Sequence, residues 1–247
     1  MFYIAIPSYR RTTTLVKKTL MMLLKAEMPG DNITIFVASE EEAEMYRQFV
    51  IFPVVVGLPG IHQQRSFIES YYPVGSRVLC IDDDVSKIKM KVQMPLAQAV
   101  DRMFDITAKE GAAMWGINPC SHTLGLRDEY TVGLSYCIGA FQGIIIKDPK
   151  LETSPSPFYE DFWRTVKANE RDGKVVRFNG LAPVTRYFSE AGGLQAFRTP
   201  EGQEQAMRDF KERFPSMCTL RVREGKMTDV RIRPLIQKRS TPNLNSA

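Results

Sequence analysis

The chain has 247 residues, 44% apolar and 25% charged, a globular composition with enough apolar side chains for a core in one large domain or two small ones. Its formal net charge of +5 and pI of about 9.0 suit an anionic partner. No run approaches the roughly 18 apolar residues of a membrane span, which excludes a membrane-spanning helix.

Phe2 to Ile6 reads as a first core strand closed by Pro7-Ser8-Tyr9; with no basic stretch, it is too short for a signal peptide. Thr12 to Lys25 reads as a helix, with N-caps offered by Thr12 to Thr14 and apolar positions at Leu15, Leu20, Met22, Leu23 and Leu24. Pro29-Gly30-Asp31 breaks it. Ile33 to Ala38 is a second strand, followed by a polar helix from Glu40 to Phe49. Val54 to Val56 is a third strand, ended by Gly57 to Gly60, and His62 to Tyr71 a third helix. Strands alternating with helices imply a parallel sheet, whose ligands bind beyond the carboxyl ends of the strands. Pro7-Ser8-Tyr9, Ser39-Glu40, Gly57 to Gly60 and Asp82 to Asp84 all fall at such ends.

The stretch Val78-Leu79-Cys80-Ile81-Asp82-Asp83-Asp84-Val85 is a short apolar run that ends in three carboxylates. Three adjacent acids repel one another unless a cation or hydrogen-bond donors offset the charge. At a strand end they form a hard-oxygen site suited to Mg²⁺ or Mn²⁺; the plain alternative is a solvated acidic turn. Past them, Met94 to Lys109 reads as a helix and Ala112 to Ile117 as a strand. Asn118 to Thr131 reads as a loop, and Leu134 to Ile146 as a hairpin or strand pair. Tyr159 to Arg171 reads as a helix with Glu160 and Asp161 in its first turn, where acids also suit the helix dipole. Lys174 to Phe178 is a strand, Phe188 to Thr199 a flexible loop and Glu204 to Phe214 a helix. Leu220 to Arg223 and Val230 to Arg233 read as a basic hairpin, followed by a polar, disordered tail from Gln237. Cys80, Cys120, Cys137 and Cys218 form no CxxC and suit free thiols in a reducing cytoplasm.

Motifs in this order resemble those of GT-A-fold glycosyltransferases, over about residues 2–180. Ile4-Ala5-Ile6-Pro7-Ser8-Tyr9-Arg10 resembles the opening strand and its I-P-x-Y-x-R turn. Arg65-Ser66-Phe67-Ile68, Gly75 and Leu79 to Asp84 resemble R-N-x-G, Gly and L-D-D-D, with Ser66 and Ile68 departing from the pattern. Gly139-Ala140-Phe141, Tyr159-Glu160-Asp161 and Gly173 to Val176 resemble the Gly-rich acceptor segment, the E-D motif and the strand after it. The resemblance implies a single α/β, Rossmann-like GT-A domain with a mostly parallel central sheet over 1–190. Residues 1–90 would be the nucleotide-sugar half and 91–190 the acceptor half. A loop, helix and basic hairpin over 191–239 and a disordered tail over 240–247 would follow.

The implied activity is metal-dependent transfer of a sugar from a nucleotide sugar, a UDP-sugar, to an acceptor hydroxyl. Asp82 and Asp84 would hold Mn²⁺ or Mg²⁺, and Asp83 would meet the ribose or sugar hydroxyls. Pro7, Ser8, Tyr9 and Arg10 would line the donor site, Tyr9 by stacking on the base, and Arg10 and Arg65 by contacting diphosphate and base. The family's acid after the second strand has only Glu40 as a counterpart, in Ala38-Ser39-Glu40. Asp161 is the implied general base, with Glu160 as fallback. A late histidine ligand is ruled out, because no histidine follows His122.

Within the fold, the chain resembles phage enzymes that glycosylate hydroxymethylated pyrimidines in DNA, the TET-associated group. That resemblance implies double-stranded DNA as partner and a host cytoplasm as location. Alternation in the hairpin would set Arg221, Arg223, Arg231 and Arg233 on one face, near Lys226, Lys238 and Arg239. Two other readings stand beside these. A nucleotidyltransferase would need a Gly-rich phosphate loop that Pro7-Ser8-Tyr9-Arg10 lacks, and a non-enzymatic nucleic-acid-binding module would leave the three acids unexplained.

Overall fold

A computed structural model describes residues 1–185, 193, 199–223 and 226–240, with backbone alone at 123, 222–223, 226–228 and 238. The expected flexible loop from Phe188 lies outside the described residues up to Thr199, apart from Gly193, as do the hairpin turn Glu224-Gly225 and residues 241–247. Strand β1 (Tyr3–Pro7) leads into helix α1 (residues 12–25), built of Thr12–Leu15, a π-type turn Val16–Leu20 and Met21–Lys25. The N-cap is Arg11, not a threonine, and no side chain caps the helix. Leu24 is exposed, on the solvent side of α1.

Then come β2 (Ile33–Val37), α2 (Glu40–Arg47), β3 (Val54–Val56), α3 (Ile61–Tyr71) and β4 (Arg77–Ile81), each within a residue or two of its sequence reading. The remaining elements are β5 (Lys87–Met90), α4 (Leu96–Lys109), β6 (Met114–Ile117), β7 (Tyr130–Leu134), β8 (Phe141–Ile145), α5 (Glu160–Asp172), β9 (Val175–Phe178) and β10 (Leu181–Val184). Helix α6 (Pro200–Arg213) and strands β11 (Cys218–Arg223), β12 (Lys226–Ile232) and β13 (Leu235–Ser240) follow among the described residues. Helix α6 begins four residues before its expected start, because Thr199 accepts from Gly202 N as N-cap and Pro200 takes the first turn.

Nine strands form one sheet in the order β13-β7-β9-β6-β8-β4-β1-β2-β3. Strands β1, β2, β3, β4, β6, β9 and β13 run one way, and β7 and β8 run the other. Both faces are covered. Leu79 and Ile81 join a core with Leu15 and Leu23 of α1 and Phe104 of α4, while Val78 and Cys80 join a second with Ile68 of α3 and Ala168 of α5. Such burial on both faces explains why β4 reads as an unbroken apolar run. The chain goes from β1 outward to β2 and β3, then returns to the other side of β1 as β4. The β1 and β4 ends therefore flank a topological switch point, where the connections part and leave a crevice.

Three differences from the sequence reading arise from long-range pairing. β7 and β8 are not a hairpin: β7 lies between β9 and β13, and β8 between β4 and β6. β8 fits there because Gly143 has no side chain; a Cβ on it would lie 2.1 Å from the Trp115 ring. The ribbon of β5 and β10 is new. Residues 238–240, expected in the tail, pair with β7 at the sheet edge. The hairpin itself forms, and Cys218, Val230 and Ile232 face a third core with Trp163, Phe210 and Phe214. No described helix is long and apolar enough to cross a membrane.

Gly133 holds φ +123°, and a Cβ there would stand 2.1 Å from the Leu235 carbonyl oxygen. Gly133→Ala is expected to destabilise the protein by more than about 1 kcal/mol and to loosen β13. Urea unfolding combined with limited proteolysis checks this; unchanged midpoints and no new cleavage near residue 235 would contradict it.

Candidate active site

The crevice between β1 and β4 holds the three carboxylates. Thr19, buried in the π-type turn of α1, donates to the Asp82 carbonyl at 2.8 Å and accepts from Val85 N at 3.0 Å, so α1 grips both ends of the acid turn. Asp83 is buried and takes a hydrogen bond from Ser8 Oγ at 2.6 Å; Tyr46 OH lies 2.8 Å from the same Ser8 oxygen. Burial pushes the Asp83 carboxyl up to about 7, against the pull of Ser8 and Arg11. Arg11 Nη1 lies 3.4 Å from Asp83 Oδ1 and 3.7 Å from Asp84 Oδ2. Asp84 Oδ1 accepts from Thr185 Oγ1 at 2.7 Å; burial, then the charge of Asp82, raises its pKa. Asp82 accepts from Arg65 Nη2 at 2.8 Å on Oδ1 and has no hydrogen-bond partner on Oδ2 among the described residues.

A second carboxylate pair opens α5. Its N-cap, Tyr159, sits in the left-handed region at φ +58°, a conformation that costs energy for a bulky residue. Glu160 Oε1 accepts from Arg65 Nε at 2.9 Å, and burial pushes its carboxyl up to about 7. Asp161 Oδ2 accepts from Tyr136 OH at 2.5 Å and from Gly139 N at 3.2 Å, and burial raises its pKa. Arg65 Nη2 also donates to the Gly139 carbonyl at 2.9 Å. Burial alone would lower the Arg65 pKa, but the charges of Glu160 and Asp82 outweigh it and hold the group well above its usual range.

No family model and no curated protein matches the chain. Solved structures do match. The mannosyltransferase PcManGT from Pyrobaculum calidifontis, in complex with GDP-Man and Mn²⁺, aligns with TM-score 0.55 and 10% identity over 85% of this chain and 64% of that one. Residues 1–349 of TarS from S. aureus align at 0.54 and 15%, over 87% and 65%. Glucosyl-3-phosphoglycerate synthase from Mycobacterium tuberculosis, in complex with Mn²⁺, UDP and glucosyl-3-phosphoglycerate, aligns at 0.55 and 11%, over 98% and 90%. The chain thus spans just under two thirds of the first two and nine tenths of the third. The fold is GT-A.

In this GT-A domain the expected residues divide. Pro7 ends β1, buried; Ser8 reaches Asp83. Tyr9 and Arg10 line a cleft of about 760 Å³ with Arg11, Glu42, Met45 and Phe49, and the Arg10 guanidinium lies 5.1 Å from the Tyr9 ring centre. Arg65 is not in that cleft; only 1% of its side chain is exposed, and its fork is committed to Asp82, Glu160 and Gly139. Glu40 also turns away, paired with Arg47 on its own helix. The acid at this position is Glu42, which accepts from Arg10 N at 2.7 Å and Ala38 N at 3.1 Å and so ties the ends of β1 and β2 together.

The spacing Ser39-x-x-Glu42 is that of a capping box and carried the signal for Glu42. Arg11, adjacent to the expected Arg10, has no motif of its own to set it apart. Tyr46, Tyr136 and Thr185 had no local signal, since each meets its partner across 25 or more residues.

Glu42→Ala leaves two backbone N–H groups without their acceptor, so it is expected to cost about 1–3 kcal/mol. Glu40→Ala, on the exposed side of α2, should stay within about 0.5 kcal/mol of wild type. Urea midpoints of the two variants decide between the acids; equal losses would remove Glu42 from this role.

Proposed function

We propose that this chain is a metal-dependent glycosyltransferase that moves a sugar from a nucleotide-sugar donor, a UDP-sugar, to an acceptor hydroxyl. One observation carries the reading: Asp82 and Asp84 sit together at the switch point of a GT-A sheet, and one Asp82 oxygen has no hydrogen-bond partner among the described residues. The donor set fits Mn²⁺ or Mg²⁺, which take one or two carboxylates and fill the shell with water and substrate phosphate. The mannosyltransferase and the synthase, solved with Mn²⁺ and a nucleotide or nucleotide sugar, support the same donor chemistry. When bound, the metal supplies Lewis-acid stabilisation of the departing diphosphate.

The chain's own groups do the rest. Tyr9 and Arg10 line the cleft for the nucleotide. Arg11, beside Asp83 and Asp84, takes the diphosphate contact for which Arg65 is too buried. Asp83, held by Ser8, positions donor hydroxyls. Asp161 takes the acceptor proton; its burial raises the carboxyl toward the range a base needs, and Tyr136 and Gly139 aim it. Glu160, the fallback, is committed to Arg65.

The test is Mn²⁺-dependent release of UDP from a panel of UDP-sugars. Asp84→Asn should keep the fold and lose on the order of 100-fold in rate, the scale on which removing one electrostatic stabiliser of the transition state acts. Asp161→Asn should lose transfer while still binding UDP. Normal turnover by Asp84→Asn at limiting Mn²⁺ would reject the site.

For the acceptor, the reading is a hydroxymethylated pyrimidine in double-stranded DNA. Arg221 and Arg231 fall on the hairpin face opposite the buried Val230 and Ile232, and Arg233 is exposed beyond it, which supports a phosphate-contacting surface. Asp229 opposite Arg221, and a register shift before Arg223, interrupt the expected row of arginines. The side chains of Arg223, Lys226 and Lys238 lie outside the described residues. Neutralising Arg221, Arg231 and Arg233 should weaken binding to hydroxymethylated duplex DNA, with UDP-sugar hydrolysis intact. The salt slope of that binding should fall by about 0.9 for each phosphate the protein no longer neutralises. Unchanged affinity at every salt concentration would remove DNA as the acceptor on this face.

A further inference from the structure

Helices α3 and α5 meet through two buried ion pairs, each four residues from the other on both helices. Arg65 of α3 pairs with Glu160 of α5 at 2.9 Å, and Glu69 of α3 pairs with Arg164 of α5. Each helix contributes one cation and one anion, and all four side chains are no more than 8% exposed. The two rungs are alike in charge and burial.

They differ in one respect. Arg164 bonds to Glu69, whereas Arg65 extends the same fork to Asp82 Oδ1 at 2.8 Å and to the Gly139 carbonyl at 2.9 Å. Stability does not account for this arrangement. Buried ion pairs are often no better than apolar side chains of the same size, because desolvation offsets the attraction. Arg65 Nη1, Glu160 Oε2 and Arg164 Nε are moreover buried without a hydrogen-bond partner among the described residues, which costs stability further.

We infer that Arg65 is a positioning residue: it fixes the Asp82 carboxylate through one oxygen, leaving the other for metal and donor, and ties that orientation to the start of α5, where Asp161 stands. This rests on the metal-dependent reading above. The planar guanidinium is suited to the task, because it bonds two carboxylates and a carbonyl in fixed directions. A lysine keeps the charge and loses the fork. Arg65→Lys and Arg164→Lys are therefore the same chemical change on two equivalent rungs, of which one reaches Asp82.

The experiment measures UDP binding with Mn²⁺ by calorimetry, alongside thermal unfolding, in wild type and both variants. Arg65→Lys is expected to weaken Mn²⁺-dependent UDP binding 10- to 100-fold, the usual effect of removing a partner that orients a metal ligand. Arg164→Lys is expected to lower the melting temperature by a similar amount and leave that binding within about twofold of wild type. Arg65→Gln serves as a second variant if Arg65→Lys does not fold. Equal binding losses in the Arg65 and Arg164 variants, or none in either, overturn the positioning role alone. Absence of Mn²⁺-dependent UDP binding in wild type overturns the metal reading and this inference together.

Discussion

Consecutive carboxylates at a strand end repel one another, and the centre of this molecule is built around offsetting that repulsion. The donors come from distant elements: Ser8 and Arg11 follow β1, Thr185 follows β10, and Arg65 lies on α3. Thr19 of α1 holds the backbone on both sides. Each acid thus has its own compensating group, and the turn is held from both faces of the sheet. Asp83, the most enclosed of the three, has its carboxyl raised to about 7 by burial, while one Asp82 oxygen has no hydrogen-bond partner among the described residues.

This arrangement requires the sheet to have its particular order. Because the paired strands β1 and β4 flank the switch point, the connection that carries Ser8 to Arg11 and the turn that carries the acids leave the sheet side by side. β8, antiparallel beside β4, brings Gly139 and Ala140 to the same edge, where Ala140 O accepts from Asp82 N at 3.1 Å. From Gly139 it is one hydrogen bond to Asp161 and one to Arg65. The acids after β4 and the acids at the start of α5 therefore belong to one bonded network rather than to two independent clusters.

A cleft lies at the β1 end of that network. Towards β1 and α2 it presents Tyr9, Arg10 and Arg11 with the partly exposed Met45 and Phe49, a surface on which a flat base and a charged phosphate can both be accommodated. Outside that cleft, at the start of α5, Tyr136 stacks on Phe162 with ring centres 4.2 Å apart and donates to Asp161 through its hydroxyl. The stacked pair fixes the direction of the hydroxyl that holds the carboxylate.

Local chemistry made much of this legible in the sequence. Apolar runs ending in Pro7-Ser8 and in Asp82 to Asp84 mark strand ends, and the Glu160-Asp161 step marks a helix start, because strand burial and helix dipoles act over a few residues. The alternation in β12 likewise marked Val230 and Ile232 as inward-facing, whereas Leu220 of β11, read the same way, is 42% exposed. Partner choice was not legible. Whether β7 pairs with β8, whether residues 235–240 join the sheet, and whether Arg65 meets a ligand or two carboxylates depend on segments up to about a hundred residues apart. A side chain's pattern states that it will be buried or charged. Only the packed tertiary structure decides what it is buried against, and that choice directed Arg65 to Asp82 and Glu160, and Glu42 rather than Glu40 to the crevice.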